Sequence, residues 1–354
     1  MRTQLKSPEM YTVGWIAALP IERAAATALL DDRHDPPESF KQHQVDTNSY
    51  TWGRIGEHNL VIASLPAGIY GIVSAATTAS NLLSSLPHIR IGLLVGIGGG
   101  IPEPDKDQDI RLGDVVVSQP DGTIGGVIQY DLGRSKANGV WEWKGSLDKP
   151  PVVLLNALAS LQAEHEFSGS RIPGILQGMW DAYPRMKAEK GTVPAFVHQG
   201  FENDRLFDPM YEHEGTKDCS RCDSSHEIQR HVRDSTDPEI HYGIIASGDT
   251  LVKDSTIRAK IANVAERLLC VEMWAAGLMD RFPCLVIRGV CDYADSHKNG
   301  RWQRYASATA AAYAKELLSY VPVRQLEATP RAINVLQYRQ LEATPRAINV
   351  LKSS

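Results

Sequence analysis

No stretch of about 18 consecutive apolar residues occurs in this 354-residue chain, and its start shows no basic-then-apolar pattern with a cleavage site. Membrane and secreted readings are therefore set aside, and a cytoplasmic location is expected. A basic excess is missing as well. The chain has 37 Lys and Arg against 42 Asp and Glu, a formal net charge of -5, so it advertises no basic face for neutralising nucleic-acid phosphates. Cysteine is scarce: there are five, and Cys270, Cys284 and Cys291 lie in or beside strongly apolar segments, the habit of reduced core thiols. The common phosphate-binding glycine patterns are absent too. "LLVGIGGGIP" (93–102) carries four glycines, yet the third glycine of a dinucleotide fingerprint falls on Ile101, and no Lys followed by Ser or Thr comes after Gly100.

What the chain does contain is the composition of an ordinary globular protein, 43% hydrophobic and 22% charged. Val- and Ile-rich runs alternate with longer helical patterns, as in a mainly parallel or mixed sheet covered on both faces. "YTVGWIAAL" (11–19) reads as the first strand, and Pro20 suits the first turn of a helix that carries Glu22 at its start. Residues 49–65 read as a hairpin with Gly56 in the turn. A small-residue helix over 74–86 leads into a strand over 91–97, after which the glycines read as a turn. Further strands are expected at 113–119, 242–248 and 283–290. "RLLCVEMWAAGLMD" reads as a strand running into a helix, and 305–321 as the closing helix.

One domain is expected over residues 10–321, preceded by an extension over 1–9. Residues 205–241, polar and rich in His and charge, interrupt the pattern as an excursion loop. "RQLEATPRAINVL" occurs twice, at 324–336 and 339–351. Two copies are too few for a solenoid, so 322–354 reads as a tail outside the domain.

Taken in order, "AALPIERAA", "VGIGGGIP", "RLGDVVVS", "ASGDTLV", "CVEMWAAGLM" and "RGVCDYAD" resemble the nucleoside phosphorylase and nucleosidase superfamily. The wording of "YTVGWIAALP" and "CLVIRGVCDYADSHKNGRW" is similar to a fungal branch found in front of signalling ATPase modules and repeat arrays. The resemblance implies a single-domain, three-layer α/β/α fold with a central mixed sheet, and cleavage of the N-glycosidic bond of nucleosides. It also implies a homodimer or higher homo-oligomer, with no cofactor and a purine nucleoside or nucleotide as the small-molecule partner.

Breaking a purine–ribose bond develops cationic charge on the sugar and negative charge on the base, so an acid near the base N7 speeds departure. By resemblance that acid is Asp292. The positions that hold phosphate in phosphorylases correspond to Leu94 and Ile97, which cannot bind an anion through their side chains. Hydrolysis is therefore expected, with Glu22 as the base that takes a proton from water. Gly98 and Gly99 would line the ribose and water site by close backbone approach. Arg288 would orient water with Glu22 and Glu272, while Ser247, Asp249, Leu251 and Val252 would enclose the base. The family usually reads Glu-Met-Glu where this chain has Glu272, Met273 and Trp274. An indole cannot accept the ribose hydroxyls, so the diol grip either passes to Glu272 and the Met273 backbone, or is lost together with activity or in favour of another ligand.

His213, Cys219, Cys222 and His226 offer enough donors for a tetrahedral zinc inside the excursion loop. The spacing is tighter than that of common fingers and contains one CxxC, so a polar loop that merely holds these residues is the competing reading. No metal is assigned from the sequence.

Overall fold

The computed structural model describes residues 2–135, 141–143, 147–215, 218–262 and 264–337. Its strands are β1 (Thr3–Gln4), β2 (Val13–Ala17), β3 (Asp32–Asp35), β4 (Tyr50–Ile55), β5 (His58–Ser64), β6 (Ile91–Gly100), β7 (Val115–Ser118), β8 (Val127–Gln129), β9 (Gly133–Ser135), β10 (Trp141–Trp143), β11 (Ile240–Ser247), β12 (Leu268–Glu272) and β13 (Cys284–Asp292). The α-helices are α1 (Pro20–Ala28), α2 (Ile72–Ser85), α3 (Val152–Ser168), α4 (Ile172–Ala182), α5 (Pro184–Lys187), α6 (Ser255–Ala262), α7 (Ala275–Met279), α8 (Gln303–Leu318) and α9 (Val323–Ala328).

The large sheet runs β1-β3-β4-β5-β2-β6-β12-β11-β7-β13, and β13 pairs back onto β6. Five strands thus close on themselves, while β2, β5, β4, β3 and β1 extend from one side as an open wing. The sheet is mixed: β6 is parallel to β2 and β13 but antiparallel to β12. Every residue of β6, β12 and β13 is buried, which is why these segments read as unbroken apolar runs rather than alternating ones. Helix α8 packs on β13 and β6, with α1 and α4 against it, and α2 packs on α7. The alanines of α8 follow from its position. A Cβ built on Gly289 of β13 would lie 1.9 Å from the Ala306 carbonyl oxygen, so helix and strand backbones nearly touch and larger side chains at that face would hold them apart.

The expected strands and helices are present, the hairpin included, with Gly56 at φ +55 in its turn. Three readings are corrected. The glycines of 96–100 are not a turn but the second half of β6, held in the sheet by pairing with β12 and β13. The 1–9 extension is not separate: Thr3 and Gln4 add a parallel edge to His34 and Asp35. The first copy of the duplication also packs on the domain, through buried Leu326 and Ala332 and through the Ala332 N–H donated to the Ile89 carbonyl at 2.8 Å. The second copy lies outside the described residues. Helices α3 and α4 come from a stretch to which the sequence reading assigned no element. Among the described residues no helix is long and apolar enough to cross a membrane.

Candidate active site

The ends of β6, β12 and β13 meet the first turn of α1 at a cavity of about 430 Å³. Pro20 starts α1 at a position where its missing N–H costs nothing, and this places Glu22 two residues into the helix with its side chain turned inward. Glu22 is buried. Its Oε2 accepts the N–H groups of Ala18 and Leu19 at 2.7 and 2.8 Å, and its Oε1 accepts the Ile97 N–H at 2.8 Å. Burial raises the Glu22 pKa above the ordinary glutamate value, against the opposing pull of Arg288 and of the three backbone donors.

Glycine is required along this part of β6 by close approach. A Cβ on Gly96 would stand 2.3 Å from Glu22 Oε1 and 2.7 Å from Arg288 Nη1, and one on Gly99 would stand 2.8 Å from Asp292 Oδ1. The strand therefore meets Glu22 and Asp292 at points three residues apart, roughly 10 Å at the usual strand rise. Gly98 and Gly99 line the cavity.

Arg288 is fully buried on β13, and its Nη2 donates to Glu272 Oε2 at 2.5 Å. Its Nε and Nη1 have no partner. Glu272 also caps the short helix α7 by accepting the N–H groups of Trp274 and Ala275 at 3.1 and 3.0 Å. Trp274 lines the cavity with its indole N–H buried and unpaired, and the Arg288 guanidinium lies 5.3 Å from its ring centroid. Buried donors left without partners are costly, and three of them around one cavity mark a place built for a polar occupant.

At the other end, Asp292 closes β13. Its Oδ1 accepts the Ala294 N–H at 3.0 Å, and its Oδ2 faces the Cys291 thiol at 3.0 Å and the Lys298 ammonium at 2.8 Å. Burial would lower the Lys298 pKa, but Asp292 more than offsets it and the net shift is upward.

Leu251, Val252, Glu272, Met273, Trp274 and Asp292 line the cavity together with Lys298, Tyr70 and Leu19. Two of the expected base-enclosing residues are used otherwise. The Ser247 hydroxyl accepts the Ala276 N–H at 2.9 Å, and the Asp249 carboxylate accepts the Ile72 N–H at 2.8 Å at the start of α2. Both cap helices, and neither is on the wall. Glu22 and Arg288 likewise sit just behind it. Lys298, Tyr70 and Leu19 were missed. Leu19 lies within the recognised "YTVGWIAALP", and Lys298 follows "CDYAD" by three positions.

No family model matches the chain. Its fold is that of the nucleoside phosphorylases and nucleosidases. The 5′-methylthioadenosine/S-adenosylhomocysteine nucleosidase of Neisseria meningitidis, solved with methylthio-immucillin-A, superposes with a TM-score of 0.52 at 17% identity, covering 87% of this chain and 98% of that one. A nucleotide-binding leucine-rich repeat (NLR)-like protein of Hyaloscypha variabilis is 44% identical over 321 residues, 91% of this chain. The ATP nucleosidase Cap17 of Escherichia coli is 29% identical over 85 residues, 23% of this chain. The chain spans 30% of the length of the first of these relatives and 17% of the second.

Proposed function

We propose that the chain hydrolyses the N-glycosidic bond of a purine nucleoside or nucleotide, with adenine as the base. The observation that carries this is the pair of carboxylates set at separate points along the glycine stretch, Glu22 near Gly96 with the unpartnered Arg288 Nη1 and Asp292 near Gly99. In this reading Glu22 takes a proton from the attacking water, which suits a carboxyl whose pKa burial has raised above the ordinary glutamate value. The free Arg288 donors hold that water. Asp292 hands a proton to the departing base and regains one from solvent, while the Lys298 ammonium beside it holds the carboxylate that the transfer leaves. Water rather than phosphate is supported by the resemblance, which puts Leu94 and Ile97, both buried and apolar, at the positions that hold the anion in phosphorylases. Adenine is favoured by the names of the relatives, an ATP nucleosidase and an adenosine-derivative nucleosidase.

The cavity opens past Tyr70 and Leu251, both large exposed side chains, next to exposed Ile69 and Val73. This apolar rim supports a homo-oligomer in which a second copy closes the 5′ end of the substrate. Light scattering at working concentration tests it.

A second reading is a ligand-binding module without turnover. Trp274 favours it: the indole fills the place of a diol-gripping carboxylate, and Glu272 spends most of its acceptor capacity on Arg288 and the α7 backbone. Release of free base from a panel of nucleosides and nucleotides, with and without phosphate, separates the readings. Free ribose or its 5′-substituted form in phosphate-free buffer supports hydrolysis. Turnover that scales with phosphate and yields ribose 1-phosphate would replace it, and ligand binding with no product would leave the binding module.

A further inference from the structure

Away from the cavity, the excursion loop gathers a thiol pair and two imidazoles. His213, Cys219 and Cys222 each offer one ligand atom, and these atoms lie within 4.8 Å of one another. His226, the fourth donor suggested by spacing, is engaged elsewhere, its ring stacked on Tyr211 at 4.4 Å. A different imidazole, His297 from the segment after β13, comes near the group. The His297 ring lies 5.5 Å from that of His213 and flat against Phe207 at 4.2 Å. Its Nε2 is buried without a hydrogen-bond partner, and the residue is 7% exposed.

We propose that His213, Cys219, Cys222 and His297 form a structural zinc site. Two thiolates and two imidazoles are a donor set that zinc takes tetrahedrally, and one that does not suit calcium or magnesium. The backbone is shaped accordingly. A single 3-10 turn, with the Cys222 N–H on the Cys219 carbonyl at 3.1 Å, brings the two sulfurs to one side. Arg205 holds that turn by donating to both cysteine carbonyls, at 2.5 and 3.3 Å. His213 Nε2 contacts the Asp218 carbonyl at 3.0 Å. A proton on that nitrogen leaves Nδ1 free for metal, the outer-shell arrangement that fixes a ligating histidine. The other group of possible ligands in the described residues, Asp114, Glu239 and His241, is already bridged by Arg233, which contacts both carboxylates. Beside the thiols stands Arg205, and its hydrogen bonds there go to the two backbone carbonyls.

The site staples the loop to the segment that follows β13. The His213 N–H also donates to Ser296 Oγ at 3.1 Å, and the Cys219 thiol faces the His297 carbonyl at 3.7 Å. That segment carries Lys298, so metal and cavity wall share a support.

The test is metal content of the full chain purified without chelator. One zinc per chain is expected, and cobalt exchanged into the site should show a thiolate charge-transfer band and tetrahedral ligand-field bands. Cys219→Ser and Cys222→Ser should lose the zinc, His297→Ala should weaken its retention against a competing chelator, and His226→Ala should keep it. Stripping zinc from the unmodified chain should lower its Tm, and adding it back should restore it. A folded chain that neither carries zinc nor develops the cobalt bands would overturn the proposal. So would a Cys219–Cys222 disulfide in the purified protein, or zinc that persists in the double serine variant. Retention unaffected by His297→Ala would overturn the assignment of the fourth ligand.

Discussion

Two ion pairs border the cavity, and they are built to different ends. Arg288 and Glu272 both come from strands of the closed part of the sheet, and both side chains are 0% exposed. Lys298 and Asp292 join a strand end to the loop after it, and the lysine side chain is 21% exposed. A pair sealed into a sheet is costly to break and cannot move, which suits a fixed support for water and for the α7 cap. A pair with one partner on a loop can exchange partners when a ligand enters, which suits the transfer of a proton. The sealed pair lies near Glu22 and the part-exposed one contains Asp292, the proposed acid, so the difference matches the division of labour proposed above.

The sharpest way to break this contrast is on stability. Arg288→Met leaves Glu272 buried without its cation and should cost about 3–5 kcal/mol, the usual loss for a broken buried pair. Lys298→Met should cost about 1 kcal/mol or less, in the range of partly solvated pairs. Denaturant unfolding of both variants measures it, and equal losses would erase the distinction.

Next in size is the effect on turnover. Asp292→Asn should lower kcat by roughly 10²-fold or more. Lys298→Met should also lower kcat with little change in KM, because the lysine holds the carboxylate left by the proton transfer rather than the substrate. An unchanged kcat in the lysine variant would show that the ammonium takes no part in the transfer.

The Glu22 side is read by pH. Because burial raises its pKa and the base must be ionised, kcat/KM should fall on acidification through a value above that of a free glutamate. Glu22→Gln should abolish this limb along with most turnover while leaving ligand affinity nearly intact. The same shift has a stability sign. Stability from the protonated form is present at low pH and is lost as pH rises through the folded-state pKa of Glu22. An acid limb at the free-glutamate value would assign it to another group.

Smallest is the change at Trp274. Trp274→Glu returns an acceptor beside the unpaired Arg288 donors, so the new charge finds a partner. The preference for riboside over 2′- or 3′-deoxyriboside should rise by about tenfold, the worth of one good hydrogen bond. Paired kcat/KM ratios for the two proteins test it. An unmodified protein that already prefers the intact diol by several orders of magnitude would show that Glu272 or backbone groups do the gripping.

Where the sequence was legible, a local rule was at work. Pro20 announced α1 and set Glu22 in its first turn, and Gly56 between alternating runs announced the hairpin. The glycines of 96–100 were misread because a turn and a strand crowded by neighbours call for the same residue. Only the approach of Glu22, Arg288 and Asp292 tells them apart. Ser247 and Asp249 were placed on the cavity wall by their position in a motif, yet each side chain is spent on a helix start. His226 entered the candidate donor set on spacing, with no metal assigned, whereas His297 lies where spacing within the loop could not point.

The sequence by itself determined the strand and helix order, the apolar character of β6, β12 and β13, and the residue types available for acid, base and thiolate chemistry. These follow from periodicity, caps and composition, which act over a few residues. The tertiary structure alone decided the closure of β13 onto β6, the two unpaired Arg288 donors, the Lys298 contact with Asp292 and the meeting of His297 with the loop thiols. Each joins groups far apart in the chain, and such contacts are fixed by how sheets close and side chains fill space rather than by any local preference.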